Sequence, residues 1–244
     1  FTIVLQDPRS GPDTADLIWV PAHDKRRGPN VITTVISPHG VTLDRLETLR
    51  RNPLPGIEAL PEPRIAVLLG GRTKIYPFGD EDEGRLEAAL RQLAGLNASF
   101  MVTASRRTHR ELLHAAEKGT SGAPRLIWRG AQDGENPYPH FLANADWFVV
   151  TADSVNMAGE ACATGRPVYV FHPKGGSAKF DRFHKCLETA GFCRPLPEPV
   201  YRLDRWAYAP QVTADEIARE IERRYWRRRR AVPGLVKPGV HTET

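Results

Sequence analysis

Long apolar runs are missing from this 244-residue chain: none approaches the ~20 residues that a bilayer-spanning helix needs. Cysteine is scarce. Cys162, Cys186 and Cys193 are odd in number and lack metal-ligand spacing, which excludes a disulfide scaffold and reads as reduced thiols in a cytoplasmic protein. Neither G-x-G-x-x-G nor G-x-x-x-x-G-K-[ST] occurs, so a dinucleotide site and a P-loop lose their main support. A Tyr-x-x-x-Lys pair is absent too, which disfavours an epimerase of the dehydrogenase type. No metal is expected, and nothing repeats internally.

What is present is ordinary for a soluble globular protein: 41% hydrophobic, 26% charged and 8% aromatic residues, enough for one large or two modest domains. Net charge is +5, and much of the excess sits in "RRYWRRRR" at 223–230. Such runs are usually the solvated end of a helix, where cations complement the dipole. A peripheral contact with anionic lipid through Arg227, Arg228, Arg229 and Arg230, on the inner face of a membrane, is the next reading. Nucleic acid is not expected, because no aromatic-and-basic recognition module accompanies the run.

Strand-like apolar runs fall at 2–5, 17–20, 31–36, 65–69, 99–103, 126–128, 147–150 and 168–171. From residue 65 they alternate with helical patterns near 80–95, 107–117, 138–144, 154–164 and 178–190. Short continuous strands alternating with helices predict a parallel sheet covered on both faces, with ligands beyond the C-terminal strand ends. The proline-rich "NPLPGIEALPEP" (52–63) suggests a boundary between a first lobe, 1–60, and a second, 61–200. A crossing segment and an amphipathic helix carrying Ile217, Ile221 and Tyr225 make up 201–244 and are expected to pack back on the first lobe. "FTIVLQDPR" opens without methionine and with a strand under way, so the first lobe is expected to be incomplete in this chain.

The strand ends carry the chemistry. After the strand at 65–69, Gly70 and Gly71 permit close backbone approach and an amide cradle for an anion, with Thr73 and Lys74 adding a hydroxyl and a charge. Ser105 and Arg106 follow the next strand, with Arg107 and Thr108 beside them. In "TADSVNMAGEACATGRPVYVF" (151–171), Asp153 or Ser154 caps a helix whose first amides, from Val155 onward, face the cleft as a phosphate site. Asn156 and Glu160 are four residues apart and share a helix face, which places a carboxylate where ribose hydroxyls would lie. His23 and Asp24 are the candidates for acid–base work.

The spacing of Ser154, Glu160, Gly165 and Pro167 resembles the nucleotide-sugar motif in the C-terminal domain of GT-B glycosyltransferases, above all the peptidoglycan N-acetylglucosaminyltransferase type. The larger set "QDPR" (6–9), "HDKRRGPN" (23–30), "SRRT" (105–108), "ENPY" (135–138) and "KFDRFH" (179–184) is similar to bacterial relatives of the plant "elongated mitochondria" fission factor, itself GT-B-like. The resemblance implies an α/β protein with two Rossmann-like lobes of GT-B type. It implies that Glu160 binds the ribose of a UDP-type sugar, and that Lys174, Lys179 and Arg182 meet its pyrophosphate while Asp181 meets the sugar. The expected activity is therefore nucleotide-sugar binding, with glycosyl transfer to an unknown acceptor. The alternatives are a non-catalytic adaptor related to mitochondrial fission factors, and a nucleotide-sugar epimerase on the same scaffold.

Overall fold

The structure, a computed structural model, describes residues 1–231; residues 232–244, the end of the expected 201–244 segment, lie outside it. Two parallel sheets organise the chain. The smaller contains β1 (Ile3–Leu5), β2 (Leu17–Pro21) and β3 (Val31–Thr34) in that order. The larger contains β4 (Arg64–Leu69), β5 (Ser99–Ala104), β6 (Arg125–Trp128), β7 (Trp147–Thr151), β8 (Val168–Phe171) and β9 (Cys193–Pro195), in the order β6-β5-β4-β7-β8-β9. Successive strands thus run outward to one side of β4, then restart on its other side at β7. This is the doubly wound Rossmann order, and the switch point lies between the C-terminal ends of β4 and β7.

Burial explains the strand composition. In β5 and β7 every residue is buried, and in β4 every residue but the first, because helices cover both sheet faces. The helices are α1 (Leu43–Arg51), α2 (Pro55–Glu58), α3 (Asp80–Ala94), α4 (Arg110–Gly119), α5 (Tyr138–Asn144), α6 (Val155–Ala163), α7 (Ala178–Thr189) and α8 (Thr213–Ala231). The buried stripe of α3, Leu86, Ala89, Leu90 and Leu93, has helical spacing; truncating either of the first two leucines of that stripe to Ala costs about 2–5 kcal/mol.

Four elements differ from the sequence expectation. Helix α1 is started by Thr42, whose hydroxyl accepts the Arg45 N–H at 3.3 Å, and it packs on α5, where Arg50 Nε donates to the Ala143 carbonyl at 3.1 Å. Helix α2 is a single turn begun by Pro55, and its Ile57, with Leu46 and Leu60, joins the core of the larger sheet. Residues 43–60 therefore pack with the larger unit, while the small sheet keeps its own core of Ala15, Ile18 and Val20. Strand β9 is only three residues long, below the length at which a pattern is visible. Helix α4 starts at Arg110, not near 107, because Ser105 to Thr108 form a tight turn closed by the Thr108 N–H to the Ser105 carbonyl at 3.0 Å.

The segment after β9 crosses the larger sheet. Trp147 Nε1 donates to the Asp204 carbonyl at 2.9 Å, and Trp206 stands edge-on to Tyr169 at 5.3 Å. Helix α8 then lies on the small sheet: Ile217 is 5% exposed, Phe1 meets Tyr225 at 5.9 Å, and Arg224 Nη1 donates to the Pro29 carbonyl at 2.9 Å.

Candidate functional site

A cavity of about 580 Å³ lies between the two sheets, at the C-terminal ends of the small sheet's strands. From the small sheet it is lined by Asp7, Trp19 and Asp24, and from the larger unit by Asn156 of α6 and Lys179 of α7. Its volume is within the range of about 300–1,000 Å³ typical of ligand sites. Gln6 and Arg9, both on its wall, have φ of 120° and 55°, a region non-glycine residues rarely occupy. Asp7 fixes that loop by accepting the Arg9 N–H at 3.0 Å and Arg26 Nη1 at 2.9 Å.

Helix α7 joins the lobes across this cleft. Lys179 Nζ lies 2.8 Å from Asp24 Oδ1, Arg182 Nε donates to the His23 carbonyl at 3.1 Å, and Phe183 meets the His23 ring edge-on at 5.3 Å. His23 is 6% exposed, and burial holds its imidazole below the ordinary value. It packs under α7 and is not among the cavity's lining residues, whereas Asp24 is. Of the two acid–base candidates, only Asp24 meets the open space.

Helix α6 starts as its sequence suggested, but without a side-chain cap: Ser154 makes no capping bond. The Ser154 N–H goes to the Thr151 carbonyl, and the first helical bond runs from Ala158 to Ser154, so the amides of Val155, Asn156 and Met157 have no intrahelical acceptor. The first turn of α6 contains no carboxylate. The other Rossmann position for a phosphate, the start of α3, is the reverse. Asp80, Glu81, Asp82 and Glu83 crowd its first turn, and the Asp82 carboxylate accepts the Gly79 and Lys174 N–H groups. Asp82 is thereby committed to structure, and among the described residues no group of three or more His, Cys, Asp or Glu is placed to hold a metal. An anion would meet the helix dipole unopposed at α6 and opposed at α3.

The diglycine turn is closed, contrary to the expected open cradle. Gly70 N–H donates to Thr151 Oγ1 at 2.8 Å and Gly71 N–H to Asp153 Oδ2 at 2.9 Å. A Cβ on Gly70 would stand 2.2 Å from the Asp153 carboxylate, and one on Gly71 would stand 1.9 Å from the Arg107 carbonyl. These glycines make room for protein, not for ligand. Asp153 also accepts the Thr151 hydroxyl at 2.7 Å and Arg107 Nη2 at 3.0 Å. Burial nonetheless pushes its carboxyl above the usual carboxylate range. The neighbouring candidates are similarly engaged: Thr73 Oγ1 accepts the Ile75 and Tyr76 N–H groups, and the Ser105 hydroxyl donates to the Gly70 carbonyl at 3.0 Å. Lys74 and Arg106 are exposed. Asp181 is exposed on the first turn of α7, where its charge helps burial push the Tyr76 hydroxyl up to about 12.

Glu160 lies on another wall. Its Oε2 accepts the Tyr138 hydroxyl at 2.5 Å, and it lines a smaller cavity of about 140 Å³ with Gly40, Thr42, Arg45 and Leu142. Burial, reinforced by the Glu160 charge, raises the Tyr138 pKa far above its ordinary value and keeps the phenol a donor. Residues 36–42 run over α6 between the two cavities; a Cβ on Gly159 would stand 3.0 Å from Ile36 Cγ2. The structure therefore gathers Asp24, Asn156 and Lys179 in the large cleft, places Glu160 in the adjoining small one, and withdraws Gly70, Gly71, Thr73 and Ser105 into internal bonds. Sequence reasoning missed Tyr138 and Trp19. Tyr138 sits in the quoted "ENPY", but its contact is 22 positions away in sequence and has no local signal.

Comparison with known proteins assigns the family. The profile of the family described as Mitochondrial fission ELM1 matches residues 1–225. The chain belongs to the mitochondrial fission ELM1 family. Mitochondrial fission protein ELM1 of Arabidopsis thaliana is 28% identical over 255 residues, covering 93% of this chain and 59% of that protein. An uncharacterized protein of Rickettsia prowazekii (strain Madrid E) is 30% identical over 161 residues, covering 64% of this chain and 45% of that protein. This ELM1-family chain thus spans about half the length of the curated relatives it matches. Among solved structures, Os79 of O. sativa, in complex with UDP and deoxynivalenol-3-glucoside, has a TM-score of 0.38 at 17% identity, over 83% of this chain and 43% of that one. Phytolacca americana UGT2, with UDP-2-fluoro-glucose and pterostilbene, has a TM-score of 0.40 at 15% identity, over 88% and 47%. These are loose likenesses, and the α/β assignment rests on the strand order.

Proposed function

We propose that this ELM1-family chain binds a nucleoside-diphosphate sugar, of UDP type, in the cleft between its sheets and transfers the sugar to an acceptor. The observation that carries the reading is the start of α6, where three amides have no intrahelical acceptor, the first turn holds no carboxylate, and Asn156 lines the 580 Å³ cleft that also receives Lys179. The diphosphate sits against those amides and the Lys179 ammonium. Glu160, one turn further along α6 in the adjoining cavity, offers Oε1 to ribose hydroxyls that reach it past residues 36–42, while Tyr138 holds Oε2. Transfer forms a bond between an acceptor oxygen and the anomeric carbon and breaks the bond from that carbon to the diphosphate. The leaving diphosphate keeps the electron pair, and Asp24 takes the acceptor proton.

Calorimetry with UDP, ADP, GDP and CDP on the wild type, Glu160→Gln and Lys179→Met tests this. Hydrogen bonds to charged groups contribute about 1.5–3 kcal/mol, so each substitution is expected to weaken binding roughly 10- to 100-fold. Absence of heat with all four nucleotides on the wild type would overturn the reading.

One observation favours a second reading, a non-catalytic adaptor on this scaffold: the Gly70 and Gly71 turn is filled by Asp153. Nucleotide binding without turnover over any acceptor panel would favour it. The fission role named for the Arabidopsis relative belongs with this reading.

A further inference from the structure

Helix α8 sorts its arginines by direction. Toward the body, Arg224 donates to the Pro29 carbonyl and to Glu220, and Arg228 pairs with Asp16. Arg223 is neutralised by two bonds to Glu220, at 2.6 and 2.7 Å, and Arg229 lies over the Tyr225 and Trp226 rings at 5.8 and 5.6 Å. Arg219, Arg227 and Arg230 have no ion pair among the described residues.

Trp226 lies nine positions beyond the buried Ile217, about two and a half helical turns, and therefore on the opposite face. It is 40% exposed. Arg219 and Arg230, at i−7 and i+4 from this indole, share its stripe with Glu222 at i−4, and Arg227 borders it, so the three arginines outnumber the one carboxylate beside the indole. Core packing accounts for Ile217 and Tyr225 but not for an indole turned outward among arginines. Solvation of a helix end accounts for the arginines but not for the indole.

We propose that this outward stripe of α8 docks on a bilayer of anionic phospholipid, with Arg219, Arg227 and Arg230 on the headgroup phosphates and Trp226 at the headgroup boundary. An indole carries an apolar body and one N–H donor, which suits the wet–apolar boundary of a membrane. The stripe lies along one helix around a broad, open depression, which a plane of headgroups can span. Charge complementarity supplies the attraction, and the aromatic anchor distinguishes a lipid surface from a duplex. Docking involves α8 and not the cleft, so its failure would leave the nucleotide-sugar reading untouched.

Flotation of the full 244-residue chain with phosphatidylcholine vesicles, and with vesicles containing roughly one third phosphatidylglycerol, tests the proposal. Flotation with the anionic vesicles alone, reversed by high salt, is expected. Replacing Arg219, Arg227 and Arg230 together by Gln is expected to reduce partitioning on the order of 100-fold, since each cation near an anionic surface contributes roughly a factor of five. Trp226→Phe is expected to abolish the blue shift of tryptophan emission on vesicles. These side chains face outward, and an unchanged circular dichroism spectrum confirms that the variants fold. Equal flotation on neutral and anionic vesicles, wild-type flotation of the triple variant, or displacement of the vesicles by duplex DNA at physiological salt would each overturn it.

Discussion

His184 provides the sharpest test of how the site is held. Its Nε2–H donates to the Ala152 carbonyl at 2.8 Å, which pins the turn leading into α6, and its Nδ1 is buried without a partner. Phe183 and His172 stand edge-on at 5.0 and 4.9 Å. Burial lowers the imidazole pKa from 6.5 to about 4, with the neighbouring His172 and His23 pushing the same way. A group whose folded pKa is depressed contributes stability that is present above its unfolded value and lost as pH falls toward the folded one. Linkage between 6.5 and about 4 predicts a loss of about 2 kcal/mol from pH 7 to pH 5, approaching about 3 kcal/mol below pH 4.

His184→Gln keeps a donor for Ala152 and removes the titration. Urea unfolding of wild type and variant at pH 7 and pH 5 isolates the difference, because every other group titrates in both. The variant is expected to lose about 2 kcal/mol less on acidification, equivalent to roughly 4–8 °C in Tm for a chain of this size. Equal losses would refute the claim that a buried neutral imidazole anchors this turn.

Two further outcomes follow from the closed diglycine turn. Asp153→Ala leaves the buried Gly71 N–H and Thr151 hydroxyl without their acceptor and is expected to cost about 2–4 kcal/mol in chemical denaturation. Asp153→Asn retains an acceptor and is expected to stay within about 1 kcal/mol of wild type at pH 7. Because burial raises the Asp153 pKa, its contribution to stability is greatest below the unfolded value and is lost as pH rises through the folded one; the Asn variant therefore compares best with wild type at neutral pH. Gly71→Ala forces the 105–108 turn away from a Cβ placed 1.9 Å from the Arg107 carbonyl, at a cost of about 3 kcal/mol or more. Gly84→Ala, mid-helix in α3 with nothing within 4 Å, is expected to gain about 0.5–1 kcal/mol in the same chemical denaturation.

Strands β4, β5, β7 and β8 of the larger sheet were legible because burial on both faces demands continuous apolar runs, and their alternation with helices dictated a parallel arrangement. The small-residue helix at α6 was legible from Ser154 to Gly165, since caps and C-terminal glycines act locally; Gly165 indeed takes φ of 77°. Helix α1 was not read, because its mean hydropathy is low and its one apolar stripe is buried by a distant element, α5. For the site, composition and spacing nominated chemical types at strand ends, and three of the nominees, Asp24, Asn156 and Lys179, line one cleft.

By itself, then, the sequence determined what depends on neighbours within a few positions: strand and helix types, the position where α6 starts, and the basic character of α8. Only the tertiary structure decided which groups are open and which are consumed. Gly71 meets Asp153 across 82 positions and Tyr138 meets Glu160 across 22. Whether an amide faces a ligand or a carboxylate of its own chain depends on such distant contacts, and no local propensity encodes them.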